Sequence, residues 1–147
     1  MGYGWVVVQI ALFVLYGLAL AWGASASWGV WRWLGVPLVA VGAWVGLAAL
    51  RVHGRKLTPL PEPNPALGLQ RTGVYAVIRH PMYTGLLLSA FGLAIVAQKP
   101  LAIAAAGALT AFFNLKAREE ERRLRRCYPD YADYQRATGR FLPRWRQ

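Results

Sequence analysis

WVVVQIALFVLYGLALAW, residues 5–22, runs for eighteen residues without a charged side chain and carries a tryptophan at each end. A helix needs about 20 apolar residues to cross the hydrocarbon core of a bilayer, and tryptophan is enriched at both membrane–water interfaces. A cleaved signal peptide is the alternative interpretation, because Ala24-Ser25-Ala26 is a small-residue site, but no Lys or Arg precedes the apolar run. The stretch therefore predicts a retained membrane-spanning helix.

Three more apolar segments follow, and together they predict an all-α, polytopic membrane protein with four transmembrane helices. Arg32 lies near the start of the second, where its side chain can snorkel to the interface. The fourth begins near Pro100 and meets no helix breaker before Pro129, so we expect one long helix that leaves the membrane and ends near Cys127. The predicted spans, within a single domain over residues 1–147, are about 5–22, 31–50, 83–97 and 100–116.

Charge is segregated along the chain, which has a formal net charge of +11 although 56% of its residues are hydrophobic. With four spans, the loop 51–82 and the segment 116–147 share one side, and they hold 15 of the 17 Lys and Arg residues. The positive-inside rule then places both termini in the cytoplasm, with the tail 117–147 as a cytoplasmic helical extension. We expect the cytoplasmic (inner) membrane as the location.

The basic tail has two other possible meanings. Part of its charge can contact anionic lipid headgroups, and nucleic-acid binding is a less favoured interpretation, so we expect membrane lipids and no nucleic acid as partners. The single cysteine, Cys127, excludes an internal disulfide and a multi-cysteine metal site. No metal site is expected.

The loop contains the most unusual sequence in the chain. Four prolines alternate over residues 58–65, which predicts an extended strap. It ends in the heptad Arg79-His80-Pro81-Met82-Tyr83-Thr84-Gly85, directly before the third span. Pro81 suits the first turn of a helix, and Gly85 suits close helix packing. A helix start does not require His80 or Tyr83, so the heptad is a candidate site, although a structural role alone stays possible.

An acidic cluster interrupts the basic tail at Glu119-Glu120-Glu121. Lys116 and Glu120 are i, i+4 and share a helix face. A solvated helix with such ion pairs is the structural interpretation. The functional interpretation is that the cluster lies just beyond the membrane edge, on the side that carries the heptad, while Asn114 faces the protein interior.

These elements, in this order, resemble the isoprenylcysteine carboxyl methyltransferase family and, more distantly, the membrane phospholipid methyltransferases. The resemblance covers about residues 67–143. Its motifs are Leu69-Gln70-Arg71-Thr72-Gly73-Val74-Tyr75, the heptad, the turn at Pro100, Glu120-Glu121-Arg122-Arg123-Leu124, Tyr131, Tyr134 and Leu142-Pro143.

The resemblance implies a cytoplasmic site for S-adenosylmethionine, with S-adenosylhomocysteine as product. The family's catalytic glutamate matches Glu120, and its arginine one turn earlier is Lys116 here, which keeps the charge but loses the bidentate fork. The implied cofactor-binding residues are Leu69, Gln70, Tyr75, His80, Pro81 and Tyr83.

The residue types suit methyl transfer to a lipophilic or lipid-modified acceptor. In-line displacement needs positioning above all, an aromatic ring of Tyr75 or Tyr83 can face a cationic sulfur, and Arg79 and His80 can bind a carboxylate. We expect Glu120 to orient the acceptor. The acceptor atom and the oligomeric state stay open, and so do three other functions: a non-catalytic protein with this fold, a phospholipid or amine N-methyltransferase, and a membrane reductase.

Overall fold

The computed structural model describes residues 3–53 and 68–144, and this part of the chain is all-α. Short 3-10 helices at Gly29–Leu34 and Gly73–Ala76 precede α2 and α3. The proline-rich strap at 58–65 lies outside the described residues. The α-helices are α1 (Tyr3–Trp22), α2 (Gly35–His53), α3 (Pro81–Val96), α4 (Pro100–Cys127) and α5 (Tyr131–Ala137).

Three helical segments within the described ranges are long and apolar enough to cross a membrane: Tyr3–Trp22, Gly29–Val52 and Pro100–Cys127. The fourth apolar helix, α3, has 16 residues, so at about 1.5 Å per residue it is shorter than a typical hydrocarbon core of about 30 Å. The structure therefore supports three of the predicted spans by length and composition.

The start of the second span differs from the prediction. Residues 29–34 form a 3-10 helix, and the α-helix begins only at Gly35. Arg32 lies in the 3-10 segment, with its guanidinium carbon 5.3 Å from the centre of the Trp33 ring. Pro37 falls in the first turn of α2, where its missing N–H leaves no helical hydrogen bond unmade.

Helices α2 and α3 pack with their backbones in contact. A Cβ atom added to Gly42 would lie 2.6 Å from the carbonyl oxygen of Gly85, and a Cβ on Gly85 would lie 2.6 Å from that of Gly42. Gly35 and Gly92, which lie seven residues from Gly42 and Gly85, face each other in the same way. These small residues of α2 thus serve packing within the chain.

Helix α4 joins the remaining helices and continues well past its apolar part, as predicted. Its buried residues Leu109, Phe112 and Phe113 form a core with Leu87 of α3. Helix α1 packs on the same core, and the Tyr16 hydroxyl donates to the carbonyl of Ala90 at 2.8 Å. This aromatic core lies next to the first turn of α3, where the heptad stands.

Candidate functional site

The heptad is held in place by the segment that follows α5. Ile78 and Gly139 form a parallel bridge. The Arg79 amide donates to the Gly139 carbonyl at 2.8 Å, and the His80 amide donates to the Arg140 carbonyl at 3.1 Å. Pro81 then starts α3 as its first residue and is almost fully buried. The backbone at Arg79 and His80 thus finds its partners about sixty residues away in the chain.

Glu121 is the centre of a buried polar cluster. Its carboxylate accepts hydrogen bonds from Arg79 Nε at 3.0 Å, from Arg140 Nη2 at 2.8 Å and from Gln135 Nε2 at 3.0 Å. His80 Nε2 lies 3.2 Å from the same group. Burial alone would raise the pKa of the Glu121 carboxyl, but hydrogen bonds from His80, Arg140 and Arg79 hold it well below 4.5. Glu121 is therefore a structural anion that ties α4 to the heptad.

Arg79 and Arg140 contribute to this cluster in different ways. The guanidinium of Arg79 also donates to the carbonyls of Gln135 and Thr138, so it is engaged by protein groups. Arg140 binds Glu121 through two nitrogens and Asn114 Oδ1 through a third, at 2.7 Å. The interior orientation predicted for Asn114 is confirmed.

Glu120, the next residue, lies among different partners. The Tyr83 hydroxyl donates to Glu120 Oε1 at 2.5 Å, and His80 Nδ1 is 3.4 Å from Glu120 Oε2. The rings of His80 and Tyr83 are parallel, with centroids 5.5 Å apart. Burial acts to lower the pKa of His80, but hydrogen bonds to Glu120 and Glu121 outweigh it and raise that pKa above 6.5. The structure thus joins His80, Tyr83 and Glu120 in one cluster, as the sequence led us to expect.

Lys116 lies one turn before Glu120 and is 2% exposed. Its Nζ atom donates to Gln9 Oε1 at 2.7 Å and lies 5.7 Å from the centre of the Tyr83 ring. Gln9 belongs to α1 and was not among the residues singled out in the sequence. Helix α1 therefore supplies a polar group to the side of the cluster that is nearest the membrane.

The other residues implied by the resemblance lie on the segment before the heptad. Tyr75 is buried in the 3-10 helix, and its carbonyl accepts from the Tyr134 hydroxyl at 2.6 Å. Burial raises the pKa of Tyr75, and electrostatic interactions with Tyr134 and Glu120 raise it further. Leu69 and Gln70 are half-buried on the chain that leads into this helix, and their assignment to a cofactor rests on the resemblance.

The three consecutive glutamates thus have three different environments. Glu119 pairs at the surface with Arg122 and Arg123, Glu120 faces the heptad's aromatic side chains, and Glu121 is enclosed by cations. Among residues 3–53 and 68–144, no group of three or more His, Cys, Asp or Glu is placed to hold a metal ion. The arrangement is suited to positioning a ligand next to one carboxylate and one aromatic hydroxyl.

Comparison with known sequences identifies the family. Residues 30–131 match the phospholipid methyltransferase family. The chain belongs to this family. The match covers α2, α3 and α4, including the heptad and the three glutamates, but neither α1 nor the segment after α5.

Two relatives of the chain are named for resistance to metals and not for methyl transfer. The chain is 32% identical over 144 residues to the nickel-cobalt-cadmium resistance protein NccN of Alcaligenes xylosoxydans xylosoxydans, which covers 95% of this chain and 62% of that protein. It is 34% identical over 146 residues to the cobalt-zinc-cadmium resistance protein CzcN of Cupriavidus metallidurans, covering 92% of this chain and 61% of that protein. The chain thus spans about three fifths of the length of these relatives.

The fold matches that of a solved methyltransferase. The structure of the eukaryotic intramembrane Ras methyltransferase ICMT, isoprenylcysteine carboxyl methyltransferase, superposes with a TM-score of 0.70 at 24% sequence identity. The match covers 97% of this chain and 53% of ICMT. The expected resemblance to this group of membrane methyltransferases is confirmed at the level of family and fold.

Proposed function

We propose that the protein is an S-adenosylmethionine-dependent methyltransferase that acts on a lipophilic acceptor. The observation that carries the proposal is the joining of His80, Tyr83 and Glu120, within the part of the chain that matches a methyltransferase family. We further propose that α3 is a fourth span and that both termini lie in the cytoplasm, at the inner membrane, because the charge distribution favours that orientation.

The side chains around this cluster suit the proposed cofactor. S-adenosylmethionine carries two positive groups, a sulfonium and an ammonium, and when bound it supplies an electrophilic methyl group. The face of the Tyr83 ring is a group that attracts cations. Tyr75, Leu69, Gln70 and Pro81 add the buried and half-buried walls on which the adenosyl part can pack.

The chain's own residues have separate tasks in this proposal. Tyr83 fixes the orientation of the Glu120 carboxylate through a hydrogen bond to Oε1, and His80 does so through an ion-pair contact with Oε2. Glu120 orients the acceptor, and it accepts a proton if the attacking atom carries one. Lys116 holds the polar end of the acceptor, while the buried core formed with Phe112 and Phe113 keeps water away from its apolar part.

Binding of S-adenosylhomocysteine tests the cofactor. We expect isothermal titration of the detergent-solubilised protein to show saturable one-to-one binding, and its absence would overturn the enzyme proposal. Glu120→Gln should keep this affinity within about threefold, yet lower methyl transfer from labelled S-adenosylmethionine to a lipid extract by about a hundredfold or more. Loss of cofactor affinity in this variant would contradict the role proposed for Glu120.

A second candidate is favoured by the names of the curated relatives. The protein could act in resistance to cobalt, zinc, cadmium or nickel as a non-catalytic membrane protein that keeps the methyltransferase fold. Expression of the wild type and of Glu120→Gln in a metal-sensitive host separates the two. Equal protection against cadmium by both proteins would support the non-catalytic role, whereas protection by the wild type alone would support methyl transfer.

A further inference from the structure

His80 is a buried imidazole with a carboxylate at each of its ring nitrogens. Nε2 lies 3.2 Å from Glu121 Oε1, and Nδ1 lies 3.4 Å from Glu120 Oε2. An ionised carboxylate only accepts hydrogen bonds, whereas a neutral imidazole carries a single N–H group. Both contacts are therefore favourable at the same time only when His80 is an imidazolium, with a proton on each nitrogen.

The cations around Glu121 exceed the charge of that one carboxylate. Arg79 and Arg140 both donate to it, so a third cation gains less from Glu121 than from an anion of its own. Glu120 is that second anion, at the other nitrogen of the His80 ring. Burial acts to lower the pKa of His80, but Glu120 and Glu121 together raise it above 6.5. The proton on His80 and the negative charge of Glu120 thus stabilise each other.

Glu120 depends on the charge of His80 more than Glu121 does. Glu121 is also held by donors that stay in place when the imidazole is neutral. These donors are Arg79, Arg140 and Gln135. Glu120 accepts from the Tyr83 hydroxyl and is attracted by Lys116, and its contact with His80 is an ion pair that exists only while the ring is charged. Loss of the proton therefore frees Glu120 to turn from His80 toward Lys116, while Glu121 stays in place.

Most other charged groups around the ring keep one charge state while His80 titrates. The two arginines that bind Glu121 keep their charge throughout the alkaline range. Burial raises the pKa of Tyr75 in the 3-10 helix and that of Tyr131 in α5, so both phenols stay neutral. Lys116 is a second group that can lose its proton in alkaline solution, and it needs a control of its own.

We propose that the imidazolium of His80 holds Glu120 in its working position, so that loss of this proton in alkaline solution releases the carboxylate and lowers the rate of methyl transfer. The inference rests on the proposed function, because it concerns the regulation of that site. His80 acts on the acceptor through Glu120 and is in this role a positioning residue. The raised pKa sets the direction: the rate is full below the folded-state value and falls as the pH rises through it.

The protonation state of His80 can be read directly by nuclear magnetic resonance, because the chain has only two histidines. The protein is labelled with nitrogen-15 in its histidine rings and purified in detergent without a histidine tag, and the signals missing from His80→Gln belong to His80. We expect both ring nitrogens of His80 to stay protonated at about pH 7.5, where an ordinary histidine is mostly neutral. A neutral His80 ring at this pH would overturn the proposal.

Glu120→Gln tests the link between the two groups. It keeps the size of the side chain but removes the charge, and it should lower the midpoint of the His80 titration by about one pH unit or more. Glu119→Gln is the matched control, because Glu119 pairs at the surface with Arg122 and Arg123, and it should leave that midpoint unchanged. Equal midpoints in the wild type and in Glu120→Gln would mean that Glu121 alone retains the proton, and would overturn the proposal.

The rate of methyl transfer from labelled S-adenosylmethionine to a lipid extract is then measured over the same pH range. We expect it to fall by about tenfold or more as the pH rises through the His80 midpoint. His80→Gln should have a low rate without this step. Lys116→Arg removes the other group that titrates in alkaline solution, and it should keep the step at the same pH, whatever its absolute rate. A step that persists in His80→Gln, or that disappears in Lys116→Arg, belongs to another group and contradicts the inference.

The two kinds of measurement separate this inference from the proposed function. A methyltransferase whose rate shows no step at the His80 midpoint would keep the proposed function and lose the role of the His80 proton. A protein in which Glu120 retains the His80 proton, but which neither transfers methyl groups nor binds S-adenosylhomocysteine, would overturn the methyltransferase proposal and leave the charged bridge as a structural element.

Discussion

Helix α3 is fixed at its two faces by opposite kinds of chemistry. Toward α2, Gly85 and Gly92 bring two backbones together without side chains between them. Toward α4 and the segment after α5, the heptad is held by charged and aromatic side chains around Glu120 and Glu121. The contact with α2 requires that no side chain lies between the two backbones, whereas the contact with α4 requires particular side chains. Adding atoms should therefore disrupt the first contact, and removing them should disrupt the second.

The largest effect is expected from Glu121→Ala. The substitution leaves the buried side chains of Arg79 and His80 and the half-buried Arg140 around a missing anion. Breaking a buried ion pair from one side typically costs about 3 to 5 kcal/mol. We expect a marked fall in the midpoint of thermal unfolding in detergent. Glu119→Ala is the matched control, since that carboxylate pairs at the surface, and should leave the midpoint nearly unchanged.

The glycine contact should be the next most sensitive. In Gly42→Ala the new methyl group would lie 2.6 Å from both the Gly85 carbonyl oxygen and Ser89 Oγ, so the helices must separate, at a cost of about 1 to 3 kcal/mol. In Gly107→Ala on α4, nothing lies within 4 Å, and the substitution should stabilise the helix by up to about 1 kcal/mol. Similar unfolding midpoints for these two variants would mean that α2 and α3 do not touch as described.

A smaller effect is expected from Arg140→Lys. The charge next to Glu121 is kept, but a lysine cannot bind both carboxylate oxygens and the Asn114 oxygen at once. We expect a loss of about 1 to 2 kcal/mol, read from the unfolding midpoint. Arg136→Lys, at an exposed position of α5, serves as the control, and an equal loss there would contradict the specific role of the fork.

The smallest effect concerns pH. The pKa of His80 is raised in the folded protein by Glu120 and Glu121, despite burial and the nearby cations Arg79 and Arg140. A raised pKa contributes stability that is fully present below pH 6.5 and is lost as the pH rises through the folded-state value. As the pH rises from 6.5 through that value, we expect the midpoint of thermal unfolding to fall further in the wild type than in His80→Gln. The lowered pKa of Glu121 acts only as the pH falls below 4.5, outside this window.

Much of this fold could be predicted from the sequence, because the strongest sequence signals for helices are local. Uninterrupted apolar runs define α1 and α2, and Pro100 and Pro129 bracket α4 closely. The 3-10 segment at Gly29–Leu34 was not predicted, because its residues are as apolar as those of the helix that follows. The close packing of α2 on α3 was permitted by the glycines, but which helix they would meet depends on tertiary contacts.

Only part of the candidate site could be predicted from local sequence patterns. Phe113, Lys116 and Glu120 follow one face of α4, and the heptad suggested what would lie opposite. Asn114 and Glu121 are seven residues apart and share another face, which was a usable signal for a second polar cluster. Its partners, Gln135 and Arg140, lie in a segment whose position no local pattern defines, and Gln9 is more than a hundred residues from Lys116.

The pairing of Ile78 with Gly139 also has a consequence for the order of steps during biosynthesis. Residues 139–141 follow α1 to α4 in the chain, so the membrane-spanning helices among them can be inserted before the heptad has its backbone partners. Insertion and completion of the site are thus separate stages. A nascent chain that stops after α4 would lack the Gly139 and Arg140 carbonyls that accept from the Arg79 and His80 amides. It would also lack Gln135 and Arg140, so that Arg79 and His80 would be the remaining partners of the Glu121 carboxylate.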